Sequence, residues 1–175
     1  MSQLKVNSVV PLAGLPGFTG TTQAGGVIQV VQKIKTDTFS GTSDDTEIAI
    51  TGMTLTITPA STSSKIMLLV SLFYGCNGTT YSFYPKRGNT IVGVGDSDGS
   101  RQQHQGALGH THDNNQCDQC TTIWMDSPNT TSATTYSLYL RNDNNVAFYL
   151  NRSTLDQNND VGKRGISTIT AMELG

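Results

Sequence analysis

The segment that most constrains the fold is residues 65–74, KIMLLVSLFY, because it is apolar on both faces of an extended strand. Side chains alternate between the two faces of a strand. One face here carries Ile66, Leu68, Val70, Leu72 and Tyr74, and the other carries Met67, Leu69 and Phe73. A strand of this kind must be covered on both sides. We therefore expect protein to pack against each of its faces.

Other strand-like segments recur along residues 27–175, and no segment has convincing helical periodicity. Gly, Asn, Asp or Pro separates most of them, and the predicted strands are residues 27–35, 47–50, 53–58, 65–74, 81–86, 90–94, 121–125, 135–141, 146–151 and 165–174. Ten short strands in about 150 residues predict an all-β, jelly-roll-like sandwich rather than an open sheet. The polar stretch 95–120 is long for a hairpin and predicts an exposed excursion.

Composition limits the classes of partner. Charged residues make up 14% of the chain and the formal net charge is −2, so we predict no nucleic-acid partner, which would need a clustered basic surface. No apolar run approaches the length of a membrane helix, and the first residues lack the pattern of a signal peptide, so we predict no membrane partner. The three cysteines are too few to predict a disulfide framework.

The first segment differs in composition from the rest of the chain. Residues 1–26 contain Pro11, Pro16 and five glycines, and this composition cannot build a core of its own. The 175 residues therefore divide into an extended N-terminal arm, residues 1–26, and one head domain, residues 27–175.

Seven segments carry a resemblance to a known family through their order along the chain: LKVNSVVP, GGVIQVVQ, ITPASTSSKIMLLVSL, KRGNTIVGVGDSDGSR, MDSPNTTSATTYSLYLR, YLNRS and STITAMELG. Their order resembles a family of phage appendage and head-surface proteins, common in phages of marine bacteria, whose head is similar to the C1q and tumour-necrosis-factor jelly rolls. The resemblance implies a homotrimer with its last strand near the threefold axis, and an arm that binds another virion protein. It also implies a location on the virion surface after synthesis in the host cytoplasm.

The position within the virion is open at this point. Only 26 residues precede the head, which favours a capsid decoration protein, a head fibre or a knob over a long tail fibre, although a tail-fibre tip remains an alternative. A second alternative is a carbohydrate-binding module that recognises host surface glycan. Aromatic side chains could stack on sugar rings, and the candidates are Tyr74, Tyr81, Tyr84, Trp124, Tyr136 and Tyr139. On strands, most of these are expected in the core or in subunit contacts.

The sharpest chemical motif is H-x-H-x4-C-x2-C, formed by His110, His112, Cys117 and Cys120. Imidazole and thiolate ligands at such spacing can close a tetrahedral zinc site. The segment lacks the strand-turn-helix context of a zinc finger, so unligated loop residues are the favoured interpretation and no cofactor is predicted. Cys117 and Cys120 could instead pair with each other, or Cys76 could form a disulfide with one of them.

Other polar residues give no catalytic signature. Asp96, Asp98 and Ser100 imitate the start of a calcium loop, but no bidentate Glu follows at the required distance, so a solvated turn is favoured. Asp126 is interpreted as a turn residue and Glu173 as a lone carboxylate. No activated nucleophile and no pair of opposed carboxylates is placed by the sequence, so we predict that the chain is not an enzyme.

Overall fold

The computed structural model describes residues 26–42, 45–76, 81–109, 111–142 and 145–175. Within these ranges the chain forms no helix, and so none that could cross a membrane. It forms the strands β1 Val27–Lys35, β2 Phe39–Thr42, β3 Glu47–Ile57, β4 Lys65–Cys76, β5 Tyr81–Arg87, β6 Thr90–Ile91, β7 Gly106–Leu108, β8 Asp118–Asp126, β9 Thr134–Arg141, β10 Ala147–Leu150 and β11 Ser167–Leu174. The predicted arm, residues 1–26, lies outside the described residues except for Gly26, which directly precedes β1.

The strands pair antiparallel in two sheets. In the six-stranded sheet β1, β11 and β4 are neighbours, and β8 pairs with the opposite edge of β4. β10 pairs with the last residues of β4, which β11 does not reach, and β2 pairs with β10. In the five-stranded sheet β3, β9 and β5 are neighbours, and the short β6 and β7 both pair with β5. The order β1-β11-β4-β8 opposite β3-β9-β5-β7 is that of a jelly-roll-like sandwich. The predicted all-β sandwich is confirmed.

The core lies between the two sheets. From β4 it contains Ile66, Leu68, Val70 and Leu72, each 0% exposed. The five-stranded sheet contributes the opposing side chains, among them Met53, Leu55, Ile57, Tyr81, Phe83, Tyr136, Leu138 and Leu140. One face of the two-sided strand predicted from the sequence is therefore covered by the other sheet. Its other face, with Met67, Leu69 and Phe73, points away from the core and is only half-buried.

Two segments predicted as separate strands, 47–50 and 53–58, form the single strand β3. The register with β9 shifts between Ala49 and Thr54, and Gly52 in this irregularity has a φ of +87°. A glycine tolerates that conformation, so the strand bends there without ending. The prediction of about ten strands also missed β2 and β7, which are short and lack a clear apolar alternation.

The predicted excursion, residues 95–120, is attached to the sandwich at several points. It contains β7 and the start of β8. The backbone amide of Gln105 donates to the backbone carbonyl of Phe83 over 3.0 Å. Just before it, Gly93 has a φ of +66°, and a Cβ at this position would lie 2.6 Å from Cδ1 of Trp124. The chain can pass the Trp124 indole at this distance only because residue 93 is a glycine.

Asp126 and Glu173 both differ from their predicted roles. Asp126 ends β8 and accepts hydrogen bonds from Arg87 of β5, over 2.9 and 3.0 Å, and from the Tyr136 hydroxyl of β9, over 2.6 Å. It is thus a bridge between the two sheets rather than a turn residue. Glu173 is fully buried and accepts hydrogen bonds from the Gln29 amide and from the Ala60 backbone amide. It holds the β3–β4 connection against β1 and β11.

Candidate subunit interface

The outer face of the six-stranded sheet carries a continuous row of apolar side chains. Strand pairing places Val30 of β1 beside Met172 of β11, Met172 beside Met67 of β4, and Met67 beside Met125 of β8. All four side chains point away from the core, because their neighbours along each strand point toward it. The row therefore crosses four adjacent strands without a polar interruption.

The next row adds Leu69 and Ile123, which are paired across β4 and β8. We call these six residues, Val30, Met67, Leu69, Ile123, Met125 and Met172, the apolar face. Ile123 is 60% exposed, Val30 55% and Met125 51%. Large contiguous apolar patches are uncommon on monomeric soluble proteins and mark interaction sites. A surface of this composition is suited to burial against another protein.

Polar side chains border the apolar face on the same side of the sheet. The Gln32 amide donates to the Thr170 hydroxyl over 2.9 Å, and the Gln119 amide donates to the Ser71 hydroxyl over 2.6 Å. These bonds join neighbouring strands and satisfy the side chains locally. The apolar face therefore has a defined boundary along the sheet.

The outer face of the five-stranded sheet has the opposite character. The Glu47 carboxylate accepts a hydrogen bond from the Tyr84 hydroxyl over 2.7 Å and forms an ion pair with Lys86. The Lys86 ammonium also lies 4.5 Å from the centre of the Tyr139 ring. Hydrogen bonds from Lys86 and Tyr84 hold the pKa of Glu47 below its ordinary value, so this carboxylate is charged at neutral pH. We call Glu47, Tyr84, Lys86, Tyr139 and Arg141 the polar face.

The predicted metal motif is only partly described. His110 lies outside the described residues, so the four-residue set stays a prediction. His112 is exposed, Cys117 precedes β8, and Cys120 lies within β8 opposite Leu72. Across the described ranges, no group of three or more His, Cys, Asp and Glu residues is placed to hold a metal ion.

The cysteines are free thiols. Cys76 is fully buried, and Cys117 and Cys120 are half-buried. Burial and the neighbouring Asp118 carboxylate raise the pKa of the Cys117 thiol to about 11, and burial also raises that of Cys120. Because the thiolate is the reactive form, both thiols have low nucleophilicity at neutral pH.

The other predicted sites are occupied by internal contacts. In the calcium-like turn, the Asp98 carboxylate accepts a hydrogen bond from Arg101 over 2.6 Å. Four of the six aromatic candidates, Tyr74, Tyr81, Tyr84 and Tyr136, are buried, as expected for strand residues. Their rings are not available as an exposed sugar-stacking platform.

Sequence reasoning identified part of the apolar face and missed the rest. The two-sided pattern of β4 predicted that Met67 and Leu69 need a cover. The contribution of β8 was missed, although Ile123 and Met125 alternate with Thr122 and Trp124. That alternation could have indicated a second face, but it does not indicate which strand lies beside β4.

Comparison with known proteins leaves the family open. No protein-family model and no curated protein sequence matches the chain. Among solved structures, those of infectious bursal disease virus, Gt strain and Gx strain, are each 12% identical over 95% of this chain, with a TM-score of 0.43. The chain spans 43% and 42% of the length of those viral chains. At this identity and TM-score the similarity supports no inference about function.

Proposed function

We propose that the chain is a non-enzymatic structural protein of a bacteriophage virion, displayed on the particle surface as a homotrimer. The arm, residues 1–26, binds another virion protein, and the β-sandwich head projects outward. The proposed position is that of a capsid decoration protein, head fibre or knob, and a tail-fibre tip is the alternative. The resemblance of the seven ordered sequence segments supports the virion role, and the observed sandwich is the kind of head that this resemblance implies.

The apolar face is the observation that supports the proposed assembly. Val30, Met172, Met67 and Met125 form one row across the sheet, and each is flanked along its strand by inward-facing residues. Exposing this row to water is unfavourable in proportion to its apolar area, and burial against other copies removes that cost. Because β11 lies in the middle of the row, the proposed threefold axis passes close to this last strand.

The assembly can be tested by measuring the mass of the purified protein with size-exclusion chromatography and light scattering. We expect three times the 18.7 kDa chain mass at micromolar concentration. Ile123→Glu, which places a charge on the apolar face, should shift the mass to that of one chain. A wild-type protein that stays at the mass of one chain would refute the trimer.

A matched control uses the opposite sheet. Thr56 is an exposed strand residue on the outer face of β3, where it pairs with Thr135. Thr56→Glu adds the same charge to a strand surface that the proposed trimer leaves free. We expect this variant to keep the trimer mass, so that loss of assembly in Ile123→Glu reports on the apolar face and not on added charge.

The virion role needs its own test, because a trimer alone does not establish it. We expect deletion of residues 1–25 to leave a folded trimer and to abolish incorporation into phage particles. A cryo-electron microscopy map of the particle should place the heads on the outside of the capsid or at another surface position. Particles that contain the truncated chain at the normal level would refute attachment through the arm.

A further inference from the structure

A cleft of about 240 Å³ lies beside the polar face. Tyr84 of β5 and Arg141 of β9 line it from the sheet. Ile91 of β6 and residues 100–103, in the connection from β6 to β7, line it from the opposite side. We call it the polar cleft. A cleft of this size accommodates a ligand smaller than a typical drug-sized molecule.

The sheet side of the polar cleft is held in place by internal contacts. The Tyr84 ring stacks on Tyr139 with centroids 6.2 Å apart and planes inclined by 10°. Its hydroxyl donates to Glu47, and Arg141 donates from Nη2 to Asp45 over 2.7 Å. These side chains are therefore positioned before any ligand arrives, which reduces the ordering cost of binding.

The loop side is also ordered by hydrogen bonds. Arg101 donates to the Asp98 carboxylate over 2.6 Å, and the Gln103 amide donates to the Gly95 carbonyl over 2.7 Å. Arg101 remains 76% exposed and keeps further donors for a ligand. The connection therefore forms a wall that carries a cationic group next to side-chain amides.

The chemistry of the lining selects an anion with neighbouring hydroxyl groups. Among the described lining residues are two arginines and no carboxylate. The buried Nε of Arg141 has no hydrogen-bond partner within the described part of the chain. Each guanidinium already donates to an aspartate, Arg101 to Asp98 and Arg141 to Asp45, and has further N–H groups with which it can donate to a ligand carboxylate. Ser100, Gln102 and Gln103 add groups that both donate and accept, as sugar hydroxyls require.

We propose that the polar cleft binds a saccharide unit that carries a carboxylate, such as a hexuronic acid within a longer glycan. A guanidinium contacts the carboxylate, the Ser and Gln side chains contact hydroxyls, and the exposed Ile91 side chain contacts the C–H surface of the ring. An acidic peptide fits less well, because the cleft is compact and none of its walls offers a long open strand edge. The inference rests on the proposed function only in that the trimer leaves the polar face free.

The test is isothermal titration calorimetry of the full-length protein with a short oligogalacturonate. The ligand concentration reaches about 10 mM, so that a dissociation constant in the millimolar range can be measured. Arg101→Ala and Arg141→Lys should each weaken binding about tenfold, which corresponds to one lost charge-assisted contact. Arg101 is largely exposed, so its replacement leaves the fold intact even if Arg141→Lys does not fold. Binding should also weaken as salt is raised.

The matched control is Arg164→Ala, which removes an exposed arginine paired with an aspartate in the separate β10–β11 connection. It should change the affinity less than twofold. A neutral oligosaccharide of equal length and a tetraglutamate peptide are the comparison ligands. Equal binding of either one, absence of oligogalacturonate binding, or an equal effect of Arg164→Ala would each overturn the proposal. Because the cleft lies within one chain, loss of oligogalacturonate binding and loss of the trimer are separate outcomes, which titration and light scattering distinguish.

Discussion

The two outer faces of the sandwich differ sharply although strands of similar composition build both. On the six-stranded sheet the residues pointing outward include Met67, Met125 and Met172, side by side across the strands. On the five-stranded sheet they include Glu47, Tyr84 and Lys86, which are joined by hydrogen bonds and an ion pair. The inner sides of both sheets contribute apolar side chains to one shared core. The sandwich does not require this difference, and in the proposed trimer it separates the face that contacts other subunits from the face that stays free.

The largest effect is expected from a charge at the centre of each face. Leu69→Glu changes an outward residue of the central strand β4, and Ser137→Glu changes its counterpart on β9, next to Lys86. We expect Leu69→Glu to abolish the trimer at micromolar concentration and Ser137→Glu to leave it unchanged. Light scattering gives the mass, and circular dichroism verifies that strand content is retained. Equal behaviour of the two variants would remove the functional distinction between the faces.

A second prediction separates assembly from the joining of the two sheets. Asp126 directly follows Met125 on β8 but points inward to Arg87 and Tyr136. Asp126→Asn should lower the free energy of unfolding by about 2–3 kcal/mol, because charge-assisted bonds within a largely buried cluster are weakened. Urea denaturation measures this change. Asp98→Asn, at an exposed ion pair, should cost about 0.5 kcal/mol or less, and a similar loss in both variants would contradict the bridging role.

A third prediction concerns the inner side of β11, directly behind the apolar face. Burial alone would raise the pKa of Glu173, but hydrogen bonds from Gln29 and the Ala60 amide outweigh burial and hold it below its ordinary value of 4.5. A lowered folded-state pKa means that the carboxylate stabilises the fold above pH 4.5. This contribution is lost as the pH falls from 4.5 through the lower folded-state pKa.

Glu173→Gln imitates the protonated state at every pH. We expect it to reduce stability at pH 7 by about 1–3 kcal/mol and to flatten the loss of stability below pH 4.5, as measured by thermal unfolding across pH. The outward neighbours Met172 and Leu174 are unchanged, so the mass of the assembly at pH 7 should stay the same. An unaltered pH profile would show that Glu173 does not titrate in this range.

The smallest effect is expected on the polar face. Lys86→Gln removes the ion pair with Glu47 and the cation–π contact with Tyr139. Both contacts lie near solvent, so we expect a loss of about 1 kcal/mol or less in the free energy of unfolding and no change in mass. Chemical denaturation combined with light scattering measures both. A loss of assembly here would indicate that the polar face also contacts other subunits.

Most of the strands could be predicted because their side chains alternate in burial. The segments that became β1, β4, β5 and β9 were placed to within about two residues, a normal margin for strand ends. β2 and β7 were not, since a strand of three or four residues is defined by its partners rather than by its own pattern. For the same reason the sequence did not predict that Asp126 joins the two sheets, because its partners Arg87 and Tyr136 are distant in sequence.

The two candidate surfaces, the apolar face and the polar cleft, also differ in how far the sequence predicted them. Each strand of the apolar face has outward apolar residues that can be read locally, but a continuous face exists only once β1, β11, β4 and β8 are neighbours. The polar cleft had no sequence signal at all. Its parts come from β5, β6, β9 and the β6–β7 connection, which the sequence indicated only as an exposed excursion.

The amino-acid sequence by itself determined the all-β class of the described residues and the need to cover both faces of residues 65–74. These properties depend on local composition and on an alternation of period two, which each segment carries independently. Only the tertiary structure decided which strands are neighbours, which outer face is apolar, and that residues 100–103 stand opposite Arg141. Strand pairing joins residues far apart in the chain, so its outcome depends on all segments together.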